Sequence, residues 1–218
     1  MQIYFVRHGK TEWNLQKRFQ GAHGDSPLLP QSLIDIQKLS DFLGETKFAA
    51  IYSSPLKRAR TTAEKLTKNL GNPFSVKIDD RLREFDLGEM EGLTFTEAKA
   101  RYPKQVTDIW EKPEKYDGHS IGGENYPEVI ARGKSFGRDV GLQFKQDDKI
   151  LAVSHGAALG AIMGGLLGYS LPDIRQNGGL SNTSLTILET KDRGKTFKAL
   201  IWNETKFLDR KMVDSDSL

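Results

Sequence analysis

The chain of 218 residues contains no cysteine. This absence excludes disulfide bonds, thiolate zinc sites and a cysteine nucleophile. Any covalent catalysis must therefore use another side chain. Histidine is also scarce, with 4 residues in the chain, so a pattern shared by two of them is informative.

Blocks of like charge are absent as well. The net charge is +3 and is spread along the chain, which favours a soluble globular protein over a nucleic-acid-binding arm. We expect no nucleic-acid partner, and the slight positive balance is compatible with small anionic ligands. The N-terminus does not show the pattern of a signal peptide, so we expect a cytoplasmic protein.

One apolar run approaches the length of a membrane span, residues 150–168. Ser154, His155 and Gly156 interrupt this run, and no basic or aromatic anchor follows it. We therefore predict a buried strand followed by a buried helix of small residues, and no membrane partner.

Six short apolar runs, rich in β-branched and aromatic residues, predict strands. They are residues 3–6, 48–52, 74–78, 150–153, 184–188 and 199–202. Helical periodicity fills much of the sequence between them, which favours a mostly parallel sheet. The predicted fold class is α/β, a three-layer α/β/α sandwich whose mixed sheet of about six strands carries helices on both faces.

Two helices have readable starts. One follows Pro30 and carries an apolar stripe of Leu33, Ile36, Leu39 and Leu43. The other is predicted to begin at Ser54-Pro55, with Ser54 as its cap, and to stop at Gly71.

The chain is predicted to form a single catalytic domain over residues 1–208, with a helical cap inserted at about residues 94–146. The longest helix of that insertion, about residues 126–146, has Gly133, Gly137 and Gly141 at intervals of four, which indicates close helix packing. Residues 209–218 are polar and aperiodic, and we expect a frayed tail.

Two of the histidines follow apolar strands in the same way, as His8-Gly9 after residues 3–6 and His155-Gly156 after residues 150–153. In an open α/β sheet, ligands bind beyond the carboxyl ends of the strands, so adjacent strands would bring the two rings together. Arg58 follows a third strand, in the first turn of a helix, where anions are attracted. Together with Arg7, these residues predict a site for a phosphoryl group.

Further motifs follow along the chain, and together they cover most of residues 1–190. They are R-H-G-x-T-x-x-N at 7–14, Q-G at 20–21, D-S-P-L at 25–28, S-S-P-L-x-R-A at 53–59, T-A-E at 62–64, L-x-E-x-x-x-G-x-x-E-G at 82–92, G-G-E at 122–124 and S-H-G at 154–156. In this order they resemble the histidine phosphatase superfamily, also called the phosphoglycerate mutase-like family.

The resemblance implies a phosphoryl transfer in which His8 is the nucleophile and becomes a phosphohistidine. It implies that Arg7, Arg58 and His155 contact the phosphoryl oxygens, and that Glu84 is the general acid and base. Neither a metal nor another cofactor is then expected. The neutral donors implied at the phosphate are Asn14, Gln20, Gly21 and Gly156.

Thr11 and Gly156 place the resemblance in the R-H-G-x-T branch and outside the acid phosphatases. The run R-E-F-D-L-G at residues 83–88, with Met90 after it, favours a phosphatase over a mutase.

Our first hypothesis is a phosphomonoesterase acting on a small phosphorylated substrate. The cap and the side chains of Lys10, Trp13, Phe19 and His23 would select that substrate, and His119 is a further candidate for its border. The second hypothesis is a phosphoglycerate mutase, which alone would need a bisphosphoglycerate primer. The third is a non-catalytic phospholigand-binding protein, which has no evident need of Glu84. A homodimer is compatible with each hypothesis.

Overall fold

The computed structural model describes residues 1–216 of the chain. These residues form a six-stranded sheet, as predicted. The strands are β1 (Gln2–Arg7), β2 (Ala50–Ser53), β3 (Lys77–Ile78), β4 (Lys149–Ser154), β5 (Leu185–Glu189) and β6 (Lys198–Glu204). Their spatial order is β3-β2-β4-β1-β5-β6.

The register of the sheet decides where the functional side chains meet. β4 lies between β1 and β2 and is parallel to both, whereas β5 is antiparallel to β1 and β6. Arg7 is aligned with Ser154, and Ser53 with Val153. The carboxyl ends of three neighbouring strands therefore lie at one edge, as the two strand-histidine patterns predicted.

Within residues 1–216, seven α-helices and several short 3₁₀ helices connect the strands. The α-helices are α1 (Glu12–Leu15), α2 (Pro30–Leu43), α3 (Lys57–Asn69), α4 (Phe95–Arg101), α5 (Pro103–Glu111), α6 (Tyr126–Gln143) and α7 (Gly156–Leu166). The 3₁₀ helices are Asp80–Leu82, Gly88–Met90, Pro113–Lys115, His119–Ile121, Lys206–Leu208 and Asp214–Asp216.

The four central strands, β2, β4, β1 and β5, are buried on both faces, which confirms the three-layer fold, whereas the outer strands β3 and β6 are exposed or half-buried. Along β1, Ile3 and Phe5 enter a core shared with α6 and α7, and the alternate residues Tyr4 and Val6 enter a core shared with α2 and α3. The apolar stripe predicted on α2 is correct except for Leu33, which is 43 % exposed. The packed face of α2 is thus narrower than its sequence pattern.

The start of α3 differs from its prediction. The helix begins at Lys57, and its N-cap residue, Leu56, makes no side-chain cap. Ser54 lies before the helix, where its hydroxyl accepts a hydrogen bond from the Leu56 N–H (3.3 Å) and shares another with His155 (2.7 Å). The serine that resembles a cap in the sequence is used instead by the neighbouring strand end.

Glycines on α6 permit the close packing that their spacing predicted. A Cβ atom on Gly133 would lie 2.5 Å from the Ile162 side chain of α7, and one on Gly137 would lie 2.6 Å from Leu166. The ring of Phe136 also packs edge-on against Tyr52 of β2, with centroids 5.4 Å apart. The helix α6, predicted within the cap, therefore belongs to a layer of the sandwich, and α4 and α5 form the cap proper.

The end of the chain is ordered rather than frayed as far as residue 216. Asp216 accepts hydrogen bonds from Lys10 (3.0 Å) and Arg210 (2.9 Å), and Arg210 also pairs with the buried Asp35 (2.9 Å). Polar composition predicted a solvated tail, but these charges have buried partners. The last two residues of the predicted tail, 217–218, lie outside the described residues.

The apolar run at residues 150–168 forms β4 and α7 in the interior, as predicted. Within the described residues, no helix combines the length and apolar character needed to cross a membrane.

Candidate active site

The two histidines that end β1 and β4 meet at the carboxyl edge of the sheet. Their ring centroids are 5.1 Å apart, with the ring planes inclined at 60°. Both side chains are buried, His8 with 2 % and His155 with 0 % exposure. The parallel register of the two strands thus produces the adjacency that the sequence pattern implied.

The hydrogen bond of His8 determines which ring nitrogen can react. His8 Nδ1 lies 2.7 Å from the carbonyl oxygen of Gly9. A carbonyl only accepts hydrogen bonds, so Nδ1 carries the proton and Nε2 keeps its lone pair. Burial, reinforced by the positive charges of Arg58 and Arg7, holds the pKa of His8 well below its usual 6.5. The ring is therefore neutral at pH 7, the form that a nucleophile requires.

His155 is bonded through the opposite nitrogen. Its Nε2 shares a hydrogen bond of 2.7 Å with the Ser54 hydroxyl, and its buried Nδ1 has no hydrogen-bond partner within the described residues. Burial, followed by the charge of Arg58, holds the pKa of His155 well below 6.5. Since buried polar atoms are rarely left without a partner, Nδ1 is a candidate to contact a ligand.

Two buried arginines lie beside these rings. Arg58, in the first turn of α3, donates to the carbonyl oxygens of Gly21 (2.8 Å) and Gly24 (2.8 Å) and pairs with Asp25 (3.3 Å). Burial lowers the pKa of Arg58. Its Nε has no hydrogen bond among the described residues, so one edge of the guanidinium remains available for an anion.

The Arg7 side chain is held in place by two backbone carbonyl groups. Its Nη1 donates to the carbonyl oxygens of Leu180 (2.5 Å) and Asp216 (3.0 Å). Burial lowers the pKa of Arg7 to about 10, so the side chain remains a cation at neutral pH. A Cβ atom on Gly156 would lie 3.0 Å from Arg7 Nε, so this glycine leaves space for the guanidinium.

Glu84 lies across from the histidines at the start of α7. Its carboxylate accepts hydrogen bonds from the N–H groups of Ala158 (2.7 Å), Ala157 (3.4 Å) and Phe85 (2.9 Å). The free amides at a helix N-terminus hold such a carboxylate in place. The predicted acid is thus oriented by backbone alone and is half-buried.

The segment that carries Glu84 is braced by Arg132 of α6. This guanidinium donates to the carbonyl oxygens of Arg83 (2.6 Å) and Glu84 (3.1 Å) and pairs with Glu124 (3.2 Å). Glu124 is the acidic residue of the G-G-E motif, whose role the sequence did not indicate. These contacts fix the Glu84 segment relative to α6.

A pocket of about 50 Å³ is lined by His8, the two arginines and Glu84, whereas His155 is not among its lining residues. That volume has room for a few water-sized groups, which suits a small ligand. Its polar lining includes the charged and polar side chains of Arg7, His8, Asn14, Lys17, Arg18, Gln20, Arg58 and Glu84. Its apolar half is formed chiefly by Phe19, Leu87, Phe95, Ile109 and Trp110.

Three predicted neutral donors line the pocket. Asn14 uses its side-chain oxygen to cap α1 through Thr11, which leaves its amide nitrogen without a partner in the described part of the chain. The Gly21 N–H likewise has no hydrogen bond within residues 1–216. Gln20 differs, because its amide nitrogen donates to Thr11 (2.9 Å) and its amide oxygen accepts from Ser26 (3.1 Å). These bonds fix the side chain and use one of its two N–H donors.

Lys10 and Trp13, predicted at the substrate border, are not among the residues that line the pocket. Lys10 is buried and donates to Ser215 (2.6 Å) and Asp216 (3.0 Å), so it joins β1 to the C-terminal segment. The Arg18 guanidinium lies over the Trp13 ring, with its central carbon 5.8 Å from the ring centroid.

His23 and His119, the other two border candidates, are exposed and bonded to acidic neighbours. His23 lies 3.1 Å from Asp86, and His119 lies 2.7 Å from Glu128. Neither histidine is among the residues that line the pocket.

Glu91 and Asn182 are two further supporting residues that the sequence did not indicate. The Glu91 carboxylate accepts from the N–H groups of residues 22–24 and thereby shapes the loop that holds Arg58. The Asn182 side chain donates to the His8 carbonyl oxygen (3.1 Å). Glu91 belongs to the motif at residues 82–92, which did not indicate a role for it. Asn182 lies outside all the sequence motifs.

Groups of three or more histidine and acidic side chains that could hold a metal ion do not occur within residues 1–216.

Comparison with known proteins gives consistent matches. The family model described as histidine phosphatase superfamily (branch 1) matches residues 3–203. A probable phosphoglycerate mutase, GpmB, of Salmonella paratyphi C is 34 % identical over 174 residues, which covers 77 % of this chain and 75 % of the relative.

Two solved structures share the whole architecture. Bacillus stearothermophilus YhfR superposes with a TM-score of 0.86 at 29 % identity, covering 95 % of this chain and 98 % of that one. A mycobacterial glucosyl-3-phosphoglycerate phosphatase superposes with a TM-score of 0.83 at 29 % identity. The match covers 93 % of this chain and 98 % of that one.

Proposed function

Because this chain belongs to branch 1 of the histidine phosphatase superfamily, we propose that it is a phosphomonoester hydrolase that uses His8 as its nucleophile. Its substrate is a small phosphorylated metabolite. The observation that carries the proposal is the bond from His8 Nδ1 to the Gly9 carbonyl. That bond leaves Nε2 unprotonated in a ring that is neutral at pH 7.

In the first half-reaction, His8 Nε2 attacks phosphorus and forms an N–P bond as the P–O bond to the leaving group breaks. Glu84 donates a proton to the departing oxygen, so the product is an alcohol. In the second half-reaction, Glu84 takes a proton from water, and the water oxygen attacks phosphorus. The P–N bond breaks, inorganic phosphate forms, and neutral His8 is regenerated.

Arg7 and Arg58 offset the charge of the phosphoryl oxygens in both transition states. A Ser54 hydroxyl that donates to His155 Nε2 leaves the proton on Nδ1, and Nδ1 can then donate to a phosphoryl oxygen. The rigid hydrogen bonds around each group support this assignment, since an in-line attack tolerates little misplacement. The chemistry requires neither a metal nor another cofactor.

A second candidate function is phosphoglycerate mutase, and the name of the Salmonella relative supports it. A mutase would return the phosphoryl group from His8 to another hydroxyl of the substrate and would need a bisphosphoglycerate primer. The name of the mycobacterial neighbour supports a phosphatase, as does the R-E-F-D-L-G run around Glu84. We therefore favour hydrolysis.

The test is hydrolysis of p-nitrophenyl phosphate in the presence of a chelator, by the wild type and by His8→Ala. We expect the wild type to release p-nitrophenol and the variant to be inactive. Activity that depends on added metal would contradict the proposed chemistry, and activity in His8→Ala would remove its nucleophile. Interconversion of 2- and 3-phosphoglycerate that outpaces hydrolysis of either would establish the mutase instead.

A further inference from the structure

Arg175 lies outside the pocket of the candidate active site but contacts one of its walls. It follows α7, in the segment that leads to β5, and its neighbour Ile174 is buried there. A Cβ atom on Gly164 of α7 would lie 2.8 Å from the Ile174 side chain, so this glycine lets the segment pack directly on the helix. Arg175 is thereby placed on the body of the protein, next to the cap.

The Arg175 guanidinium lies over the ring of Trp110, with its central carbon 4.6 Å from the ring centroid. The other contacts of this kind among residues 1–216 are longer, from 5.5 to 5.9 Å. A guanidinium both stacks on an aromatic face and is attracted to it by charge. Trp110 belongs to α5 of the cap and lines the pocket, whereas Arg175 does not. A wall residue is thus held by a side chain outside the pocket.

The same guanidinium acts on the end of α5. The fully buried Tyr126 donates its hydroxyl hydrogen to the Ile109 carbonyl oxygen (2.6 Å) in the last turn of that helix, where carbonyl groups lack helical partners. Burial raises the pKa of Tyr126, and the charge of Arg175 and a hydrogen bond from it counteract this rise. A cation is also favourable at the C-terminal end of a helix. Arg175 therefore supports the backbone that carries Ile109 and Trp110.

The contacts of Trp110 within the wall itself are looser. Phe95 of α4 packs against Phe19 with ring centroids 4.3 Å apart, and its N–H donates to the Lys17 carbonyl oxygen (2.8 Å). The Trp110 ring lies 6.4 Å from Phe19 and 6.5 Å from Phe95. Aromatic pairs at such separations are near the outer limit of their preferred range. The position of Trp110 thus depends more on Arg175 than on the neighbouring rings.

We propose that Arg175 is a positioning residue for the candidate active site, because it holds Ile109 and Trp110 where they contact the leaving group of the substrate. The proposal rests on the proposed function, which assigns the phosphoryl group to the polar lining of the pocket and leaves the apolar lining for the leaving group. It goes beyond that function by giving a role in substrate binding to a side chain that does not touch the substrate.

Arg175→Met removes the charge and the planar group but keeps a long apolar side chain. Arg175→Lys keeps the charge and loses the planar face, so we expect it to restore part of the effect. Arg138→Met is the matched control, since it makes the same change at an exposed arginine of α6 that does not line this pocket.

The first measurement compares two ligands that fill different parts of the pocket. p-Nitrophenyl phosphate brings an aromatic leaving group to the wall, whereas orthovanadate occupies only the phosphoryl position. For Arg175→Met we expect the KM of p-nitrophenyl phosphate to rise about fivefold, with kcat and the inhibition constant of orthovanadate unchanged. The rise should be smaller in Arg175→Lys and absent in Arg138→Met.

A double-mutant cycle tests whether Arg175 acts through Trp110. In a Trp110→Leu background, Arg175→Met should raise the KM no further, because the ring that it holds is already gone. The proposal would be overturned by an unchanged KM in Arg175→Met, by an equal weakening of orthovanadate, or by a full rise of KM in the Trp110→Leu background.

Failure of the proposed function is recognised separately, by the absence of p-nitrophenyl phosphate turnover in the wild type. The wall is then tested by fluorescence, since the chain has 3 tryptophans and Trp13→Phe/Trp202→Phe leaves Trp110 alone. In that background, acrylamide should quench the emission of Trp110 more strongly in Arg175→Met than in Arg138→Met. Equal quenching in the two variants would reject the role of Arg175, whichever reaction the protein catalyses.

Discussion

The ends of β1 and β4 carry the same sequence pattern, an apolar strand followed by a histidine and a glycine, yet the two rings expose opposite nitrogens. His8 is bonded through Nδ1 to the carbonyl of the next residue, Gly9. His155 is bonded through Nε2 to Ser54, at the end of a different strand. The comparison teaches that a shared local pattern places two rings in one site without giving them one role.

The difference arises from the nature of each partner. A backbone carbonyl can only accept, so it fixes the proton of His8 at Nδ1. A serine hydroxyl can donate as well as accept, so His155 can take the form that donates from Nδ1. Under the proposed function, one ring acts as the nucleophile and the other can act as a hydrogen-bond donor.

The largest expected effect separates these two roles. His8→Ala should lower phosphatase activity by roughly 10⁴-fold or more and abolish acid-labile phosphorylation of the protein, because the bond-forming nitrogen is lost. His155→Ala should lower activity by about 10²- to 10³-fold and still label, because only a phosphoryl contact is lost. Labelling of His8→Ala, or equal behaviour of the two variants, would contradict the assignment.

The next effect concerns the C-terminal segment, whose Asp216 bonds to Arg7 and Lys10 at the end of β1. Asp216→Asn leaves Lys10 without a buried counter-charge and removes one of the two carboxylates that pair with Arg210, and we expect the free energy of unfolding in urea to fall by about 2 kcal/mol. Asp209→Asn, an exposed change in the same segment, is the control. Equal stability of the two variants would show that the C-terminal ion pairs do not support β1.

The same residue predicts an acid transition. Burial alone would raise the pKa of Asp216, but hydrogen bonds from Arg210, Val213 and Lys10 lower it to about 2 from 3.8. Its contribution to stability is therefore present above pH 3.8 and lost as the pH falls towards 2. Urea titrations of the wild type across this range should show a loss that Asp216→Asn lacks.

A smaller effect tests the hydrogen bond of His155. Ser54→Ala removes the partner of Nε2 and frees the ring to exchange its proton between nitrogens, so we expect kcat to fall about tenfold. Ser53→Ala is the matched control, since that buried hydroxyl bonds to the Ser54 carbonyl (2.9 Å). If both serine variants lose the same activity, the loss reflects packing rather than the tautomer of His155.

The smallest effect should be common to both rings. Each is neutral when folded, whereas the unfolded chain binds a proton near pH 6.5, so stability falls as the pH drops below 6.5. Between pH 6.5 and 6.0 we expect at most about 0.7 kcal/mol from each histidine. Urea titrations of His155→Asn should show a shallower dependence than the wild type, and those of the exposed His23→Asn should not. An unchanged dependence in His155→Asn would contradict the burial effect.

Much of the fold was predictable because its signals are local. The six strands lie in apolar runs a few residues long, and the glycine spacing on α6 indicated its packing against α7. The predictions were wrong where one sequence pattern is compatible with two structures. Ser54 resembles a helix cap but binds His155, and Leu33 continues an apolar stripe into solvent.

The candidate site divides in a similar way. Residues fixed to strand ends or helix starts, such as His8, Arg58 and His155, lie where the motifs predicted. Residues on loops do not follow that pattern, because long side chains can turn either way from the same backbone. Lys10 turns to the C-terminal segment, and Lys17, without a motif of its own, turns to the pocket.

The sequence by itself determined the sheet, the residues at its carboxyl edge and the family of the chain, because strand periodicity and motif order are written in neighbouring residues. The tertiary structure alone decided which nitrogen of each histidine is bonded, which cations line the pocket and what holds Arg7 in place. Those properties depend on contacts such as His155 with Ser54 and Lys10 with Asp216. These partners are distant along the chain and become neighbours only when the sheet forms.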